Sequence, residues 1–168
     1  MTAELILSSG KVAIVDDDLY PQLSQYKWYT MKPGQSALWY AYRMVRVGPR
    51  KEGKRITYLL HREILGLSKG DGLSVDHING DGLDNRRANL RRATQQQNCF
   101  NKTKSRGSSK FKGVYWQADR ECWRAAIWKD RRIFPMGRFS NERDAALAYN
   151  AAAVRMFGDF AHLNEVCP

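Results

Sequence analysis

The chain has 168 residues, 43% of them hydrophobic, and its 28 Lys and Arg against 17 Asp and Glu give a formal net charge of +11. That length allows one or two small domains, and the basic excess points to a polyanion or an anionic membrane surface as the partner. No run of ~18 apolar residues spans a bilayer, no basic-then-apolar leader opens the chain, and Cys99, Cys122 and Cys167, odd in number and without CxxC spacing, exclude a disulfide framework and a zinc site and suggest a reducing, intracellular compartment.

Residues 3–15 alternate apolar and polar about Ser8-Ser9-Gly10-Lys11, which predicts a hairpin of Glu4–Leu7 and Val12–Val15. Asp16-Asp17-Asp18 reads as the solvated, acidic start of a short helix over Tyr20–Tyr26, where carboxylates favour the helix dipole; a metal cluster is the alternative. Trp28–Thr30 and Leu38–Val47 read as strands about a Pro33-Gly34 turn, and a basic turn, Arg50–Arg55, leads into a strand at Ile56–Tyr58. Residues 1–58 are therefore expected to form a small antiparallel sheet. Its Arg43, Arg46, Arg50, Lys51, Lys54 and Arg55 could touch phosphate or could form a solvated face. Leu59–Leu65 reads as a short apolar helix ended by Gly66. His61 within it is expected to pack behind a site, with a catalytic role as the alternative.

Val75-Asp76-His77-Ile78-Asn79-Gly80-Asp81 follows. An Asp-His pair leaves a predicted strand at Asp76-His77, a loop rich in Gly and Asn comes next, and Asn89–Ala93 is a second short strand. Thr94-x-x-Gln97 is a capping box that starts a helix with Asn98 in its first turn. Strand, loop, strand and helix can gather Asp76, His77, Asn89 and Asn98 at one small site. Mg²⁺ takes only one or two protein oxygens and keeps several waters, so Asp76 and the Asn98 carboxamide would suffice. His77 can take a proton from water near neutral pH, and Asn89 can fix its tautomer or its backbone. An EF-hand reading fails, because the twelfth position from Asp76 is Arg87 where a bidentate Glu is needed.

These residues resemble the HNH nuclease motif, a ββα-metal unit. Asp76-His77 matches its first element, Asn89 its middle Asn, and Asn98 the place where many members carry a final His. The Asp-His…Asn…Asn form is similar to phage and intron-borne homing endonucleases. The resemblance implies hydrolysis of a DNA phosphodiester with His77 and Asn89 as catalytic residues. It implies Mg²⁺, with Mn²⁺ as the alternative, on Asp76 and Asn98.

From Arg86 to Lys112 there are nine Lys or Arg and no acid. Residues 101–111 are also rich in Ser, Gly and Thr and read as a basic linker, either solvated or laid along DNA. Beyond it, Gly113–Gln117, Cys122–Trp128 and Arg132–Phe139 read as three strands, and Ser140 as the cap of a long helix, Asn141–Phe157. Alternation turns Val114, Trp116, Trp123, Ala125, Ile127, Phe134 and Met136 toward the helix, and Tyr115, Gln117, Arg124, Ala126, Trp128 and Ile133 away from it. That outer face suits a DNA groove, with a dimer interface as the alternative.

Phe111–Val114, Trp123–Ile127, Gly137–Phe139, Ala145–Asn150 and Phe157-Gly158-x-x-Ala161-x-Leu163-Asn164 resemble the APETALA-type (ethylene-response-factor) DNA-binding domain. That family reads the major groove with its sheet face, which by position implies Tyr115, Gln117, Arg124 and Trp128.

The reading is an α+β chain with three parts. Residues 1–100 carry an N-terminal antiparallel sheet and the HNH unit, 101–111 the basic linker, and 112–168 a three-stranded antiparallel sheet packed on one helix. Arg91, Arg92, Lys102, Lys104, Arg106, Lys110, Lys112, Tyr115, Gln117, Arg124, Trp128, Lys129 and Arg132 are expected on double-stranded DNA. The expected state is a monomer in the cytoplasm of a bacterial host, nicking one strand per chain. A DNA-binding regulator with a non-catalytic HNH scaffold is the alternative, and an RNA-binding protein a third reading.

Overall fold

The computed structural model describes residues 1–34, 38–49, 53–101 and 107–166. It is a mixed α and β chain of small antiparallel sheets and few helices, divided into two compact units, Met1–Gln95 and Gln96–Pro168. Arg50, Lys51, Lys102, Lys104, Arg106 and Cys167 lie outside the described residues. Among those described, Cys99 and Cys122 are free thiols and no helix is long and apolar enough to cross a membrane.

In the first unit, β1 (Thr2–Ile6) and β2 (Val12–Asp16) form the expected hairpin. Period-two alternation puts Leu5, Ala13 and Val15 on its buried side, where they pack with Leu7, Leu23, Trp28, Ala41 and Leu60. The helix expected over 20–26 is shorter: α1 is Tyr20–Leu23, and the Trp28 indole donates to the Leu23 carbonyl at 2.8 Å, closing the helix end with a side chain. Asp16 and Asp18 are taken by Arg87, whose backbone N–H meets Asp16 at 2.8 Å and whose guanidinium meets Asp18 at 2.9 Å. No group of three His, Cys, Asp or Glu among the described residues could hold a metal ion, so the acidic run is no metal cluster.

A second sheet has the order β3 (Tyr29–Met31), β4 (Tyr40–Val47), β5 (Lys54–Leu59). It runs into α2 (Leu60–Ile64), after which Gly66 takes the left-handed φ of +64° that a helix stop favours. Then β6 (Ser74–His77) pairs antiparallel with β7 (Leu90–Ala93). The long loop between them is pinned to the N-terminal hairpin: Ile14 N–H donates to the Leu83 carbonyl at 2.9 Å, and Asn85 N–H to the Ile14 carbonyl at 2.7 Å.

Helix α3 (Gln95–Phe100) follows Thr94 and runs into the second unit. That unit holds β8 (Val114–Gln117), β9 (Cys122–Lys129) and β10 (Arg132–Phe139) in the order β10-β9-β8, covered by α4 (Glu142–Phe157). Val114, Ala125 and Ile127 pack on Ala145, Ala146, Tyr149, Ala152 and Ala153. The small alanines let helix and sheet approach closely. Gly113 does the same at φ +71°, where a Cβ would run into the Tyr149 ring and the Ala126 carbonyl.

Two expectations are corrected here. The cap of α4 is Asn141, not Ser140: its Oδ1 accepts from the Asp144 N–H at 2.8 Å, the reach an N-cap side chain needs to the third helical amide. Trp116 does not join the core under the helix. It is 40% exposed and lies edge-on to its cross-strand partner Trp123, ring centroids 5.2 Å apart.

Candidate active site

Strand β6 is buried along most of its length, and its last two residues are polar. Asp76 is 2% exposed and His77 5%. Burying a carboxylate without a partner is costly. The register supplies the partner by placing Arg91 of β7 opposite Asp76, where Nε and Nη2 reach Asp76 Oδ2 at 2.7 and 2.6 Å.

The loop after His77 is fixed by its own side chains. Gly80 N–H donates to the His77 carbonyl at 2.9 Å, Asn79 Oδ1 accepts from Asp81 N–H, and Asp81 Oδ1 accepts from Leu83 N–H. Asn79 Nδ2 donates to Asp84 at 2.9 Å, and the Arg86 guanidinium closes on the same carboxylate, holding its pKa below the usual carboxylate range. Asn and Asp favour such turns because their side chains bond backbone two residues on.

Asn89 belongs to this bracing. Its Oδ1 accepts from Asn79 N–H at 3.0 Å, and its Nδ2 donates to the Asp84 carbonyl at 2.8 Å. The group that meets the imidazole is instead Asn85, fully buried, with Oδ1 3.5 Å from His77 Nε2. The expectation that Asn89 sets the tautomer of His77 is corrected accordingly: both ends of its carboxamide are engaged in closing the loop, and Asn85 points at the ring.

Two further rings enclose His77. His61 of α2 stands edge-on to it with centroids 5.2 Å apart, and Tyr40 of β4 lies 5.8 Å from His77 and 5.4 Å from His61. Gly82 lets the loop close over Tyr40, because a Cβ there would strike the Tyr40 ring. His61 Nδ1 is buried with no partner among the described residues. Burial pushes the His61 pKa down to about 3, with the neighbouring His77 adding to the shift. Burial also lowers the His77 pKa, opposed by Asn85 and by the charges of Asp76, Asp81 and Asp84. Burial, with the charge of Asp76 beside it, raises Tyr40. Both imidazoles are therefore neutral at physiological pH, and a neutral imidazole can accept a proton.

Asn98 lies half-buried on α3, in the part of the helix that belongs to the second unit. There Phe100 stacks on Phe157 of α4 with centroids 3.9 Å apart, Lys112 Nζ donates to the Phe100 carbonyl, and Gln96 bonds Asp130. Residues 96–100 thus pack with the C-terminal sheet and helix, ahead of the boundary at residue 100 that the sequence suggests.

The expected DNA-contact residues divide. Arg91 is held by Asp76, and Arg92 donates to the Leu65 carbonyl at 2.8 Å. Lys112 turns inward, and burial lowers its pKa to about 8; its place on phosphate is corrected, since its ammonium closes the C-terminal end of α3. Lys129 lies toward α4, 3.4 Å from the Met156 carbonyl and over the Phe157 ring. Tyr115, Trp128 and Arg132 are exposed on the sheet, Trp128 at 65% beside Ile133 at 60%, and Lys110 is exposed before it. Arg124 lies 5.9 Å over Tyr115, and Gln117 Nε2 donates to Asp119 at 3.1 Å.

Asn85, Tyr40, Asn79 and Asp84 were not singled out in the sequence. The Asx-turn residues could have been found from the density of Asn and Asp about Gly80; the approach of Tyr40 has no local signal.

A family model described as HNH endonuclease matches residues 58–99, which span α2, His61, β6, the braced loop, β7 and most of α3. The chain is 34% identical over 157 residues to an uncharacterized HNH endonuclease of Acanthamoeba polyphaga mimivirus, an alignment that covers 94% of this chain and 76% of that protein. It is 39% identical over 57 residues to Protein 3.8 of Escherichia phage T7, covering 33% of this chain and 47% of that protein. No solved structure matches. With its Asp-His pair buried at a strand end and nearly its full length aligned to such a relative, the chain belongs to the HNH endonuclease family.

Proposed function

We propose that the chain is a site-specific, homing-type DNA endonuclease in which His77 is the general base for hydrolysis of a phosphodiester. The family implies a DNA substrate, and HNH nucleases generally use a divalent metal. The observation that carries the reading is the imidazole of His77, buried at 5% exposure, held neutral by burial and faced at Nε2 by Asn85.

Asn85 faces His77 at Nε2 and orients the ring, and the neutral imidazole takes the proton of the attacking water. Asn79, Asp84 and Asn89 hold the loop that presents it. Asp76 and Asn98 are the residues that would hold the cation. Both offer oxygen, the donor type from which Mg²⁺ or Mn²⁺ takes one or two ligands while keeping waters. When bound, the ion supplies positive charge to the developing phosphorane and the leaving oxygen.

The C-terminal sheet is read as an APETALA-type element that holds duplex DNA. Exposed Tyr115, Trp128 and Ile133, with Arg124, Gln117 and Arg132 beside them, support this: an aromatic and basic sheet face is poor as bare surface and suits a groove. One centre per chain gives one nick per monomer. A phage or intron setting in a bacterial cytoplasm fits the homing reading.

A second reading, a DNA-binding regulator on a non-catalytic HNH scaffold, is favoured by one observation: Arg91 occupies Asp76. Incubation with supercoiled plasmid separates the two. The nuclease converts it to open circles with Mg²⁺ and not with EDTA, and His77→Ala binds the plasmid without nicking it. Binding by the wild type with no nicking under any divalent cation leaves only the regulator.

A further inference from the structure

Beyond Tyr42, β4 and β5 leave β3 behind. β3 pairs only with Tyr40–Tyr42, whereas the β4–β5 register continues to Val47↔Lys54. The result is a two-stranded ribbon whose outer part is exposed on β5 from Lys54 to Tyr58 and on β4 at Met44, Arg46 and Val47. Such a ribbon has little hydrophobic support of its own.

Its register sets Arg46 directly opposite Arg55. Directly opposed residues of an antiparallel pair have Cβ atoms about 4.5–5.5 Å apart, and like charges there destabilise the pair. Neither arginine forms a salt bridge among the described residues. Arg43, on the other face, is different: it makes a bidentate pair with Glu63 at 2.9 and 2.8 Å and lies over Tyr26 and Tyr58, so its charge is already satisfied. Gly53 closes the turn at the ribbon's end, where a Cβ would stand 2.8 Å from the Pro49 carbonyl oxygen and 3.0 Å from that of Gly48. The ribbon thus keeps two repelling charges together on one face, an arrangement that an anion between the strands' side chains would relieve.

We infer that the β4–β5 ribbon is a second DNA-contact element, in which Arg46 and Arg55 each neutralise a backbone phosphate of the bound duplex. The inference rests on the DNA-cleaving reading above. A two-stranded ribbon is narrow enough to enter the major groove, and phosphates beside the two guanidiniums would offset the repulsion that the free protein carries.

The test measures duplex affinity of the full chain in EDTA across a KCl series, for wild type, Arg46→Thr, Arg55→Thr and the charge-keeping Arg46→Lys, each with a thermal midpoint. Each Thr variant is expected to reduce the slope of log K against log salt by about 0.9 and to melt higher than wild type, because the opposed charges are gone. Arg46→Lys is expected to keep the slope. Unchanged slopes in folded Thr variants overturn the ribbon alone, whereas a structured RNA that outcompetes the duplex at fixed salt overturns the DNA reading with it. A wild type that binds no duplex sinks the DNA reading and the ribbon with it.

Discussion

Asp76 and Arg91 are direct cross-strand partners, and the guanidinium donates twice to a single carboxylate oxygen, at 2.6 and 2.7 Å. The pair neutralises the carboxylate in the free protein and competes with any cation for it. Arg91→Gln removes the opposite charge from the buried acid and is expected to cost about 3–5 kcal/mol. Mg²⁺ should then restore stability, so the thermal midpoint of the variant rises with MgCl₂ more steeply than that of the wild type. Equal responses would show that the ion does not reach Asp76.

His77→Ala is expected to lower the cleavage rate by about 10²–10⁴ while leaving duplex affinity intact. The pH profile carries the sign of the shift. Burial depresses the pKa of His77, so the neutral base persists below the usual value. The acid limb of the metal-saturated rate should have its midpoint below about pH 6.5, where an ordinary histidine is half protonated. A midpoint at or above the ordinary value contradicts this.

His61 gives a stability counterpart. Its folded pKa is pushed to about 3, well below the unfolded value, so the unfolded chain takes up a proton that the folded chain refuses. Its contribution is fully present above the unfolded pKa and is lost as pH falls toward the folded one, at about 1.4 kcal/mol per pH unit. His61→Phe should flatten the acid limb between pH 6.5 and 4.5 by one proton's worth. It should cost little at pH 7.5, where it removes an unpartnered buried nitrogen. Urea unfolding at several pH values reads both.

Lys112 should behave as a structural lysine. Lys112→Ala removes the ammonium from the Phe100 carbonyl and is expected to lower the melting temperature while leaving the salt slope of DNA binding unchanged. Arg132→Ala, on the exposed sheet edge, should do the opposite.

What could be read from sequence was what repeats or punctuates. The β1–β2 hairpin followed from alternation about Ser8-Ser9-Gly10, α4 to within a residue from the capping signal before it, and the HNH motif about Asp76-His77 from its order and spacing. What stayed hidden was set by register and tertiary approach. Arg91 meets Asp76 because of the loop length between β6 and β7, which no periodicity encodes. Asn85 reaches His77 because β2 pins its backbone through Ile14. Asn141 displaces Ser140 as cap by a single residue, a choice both side chains allow locally.

The stack of Phe100 on Phe157 bears on how such chains can be recombined. A crossover placed in the basic segment after residue 101 would look, on the sequence, like a clean cut between a nuclease and its DNA reader. It would instead part Phe100 from its partner ring and leave Asn98 on a helix stripped of its support. Shuffled hybrids should survive only when the incoming half brings an aromatic that fits the donor's helix, so descent by exchange of tails would leave this pair of rings inherited together.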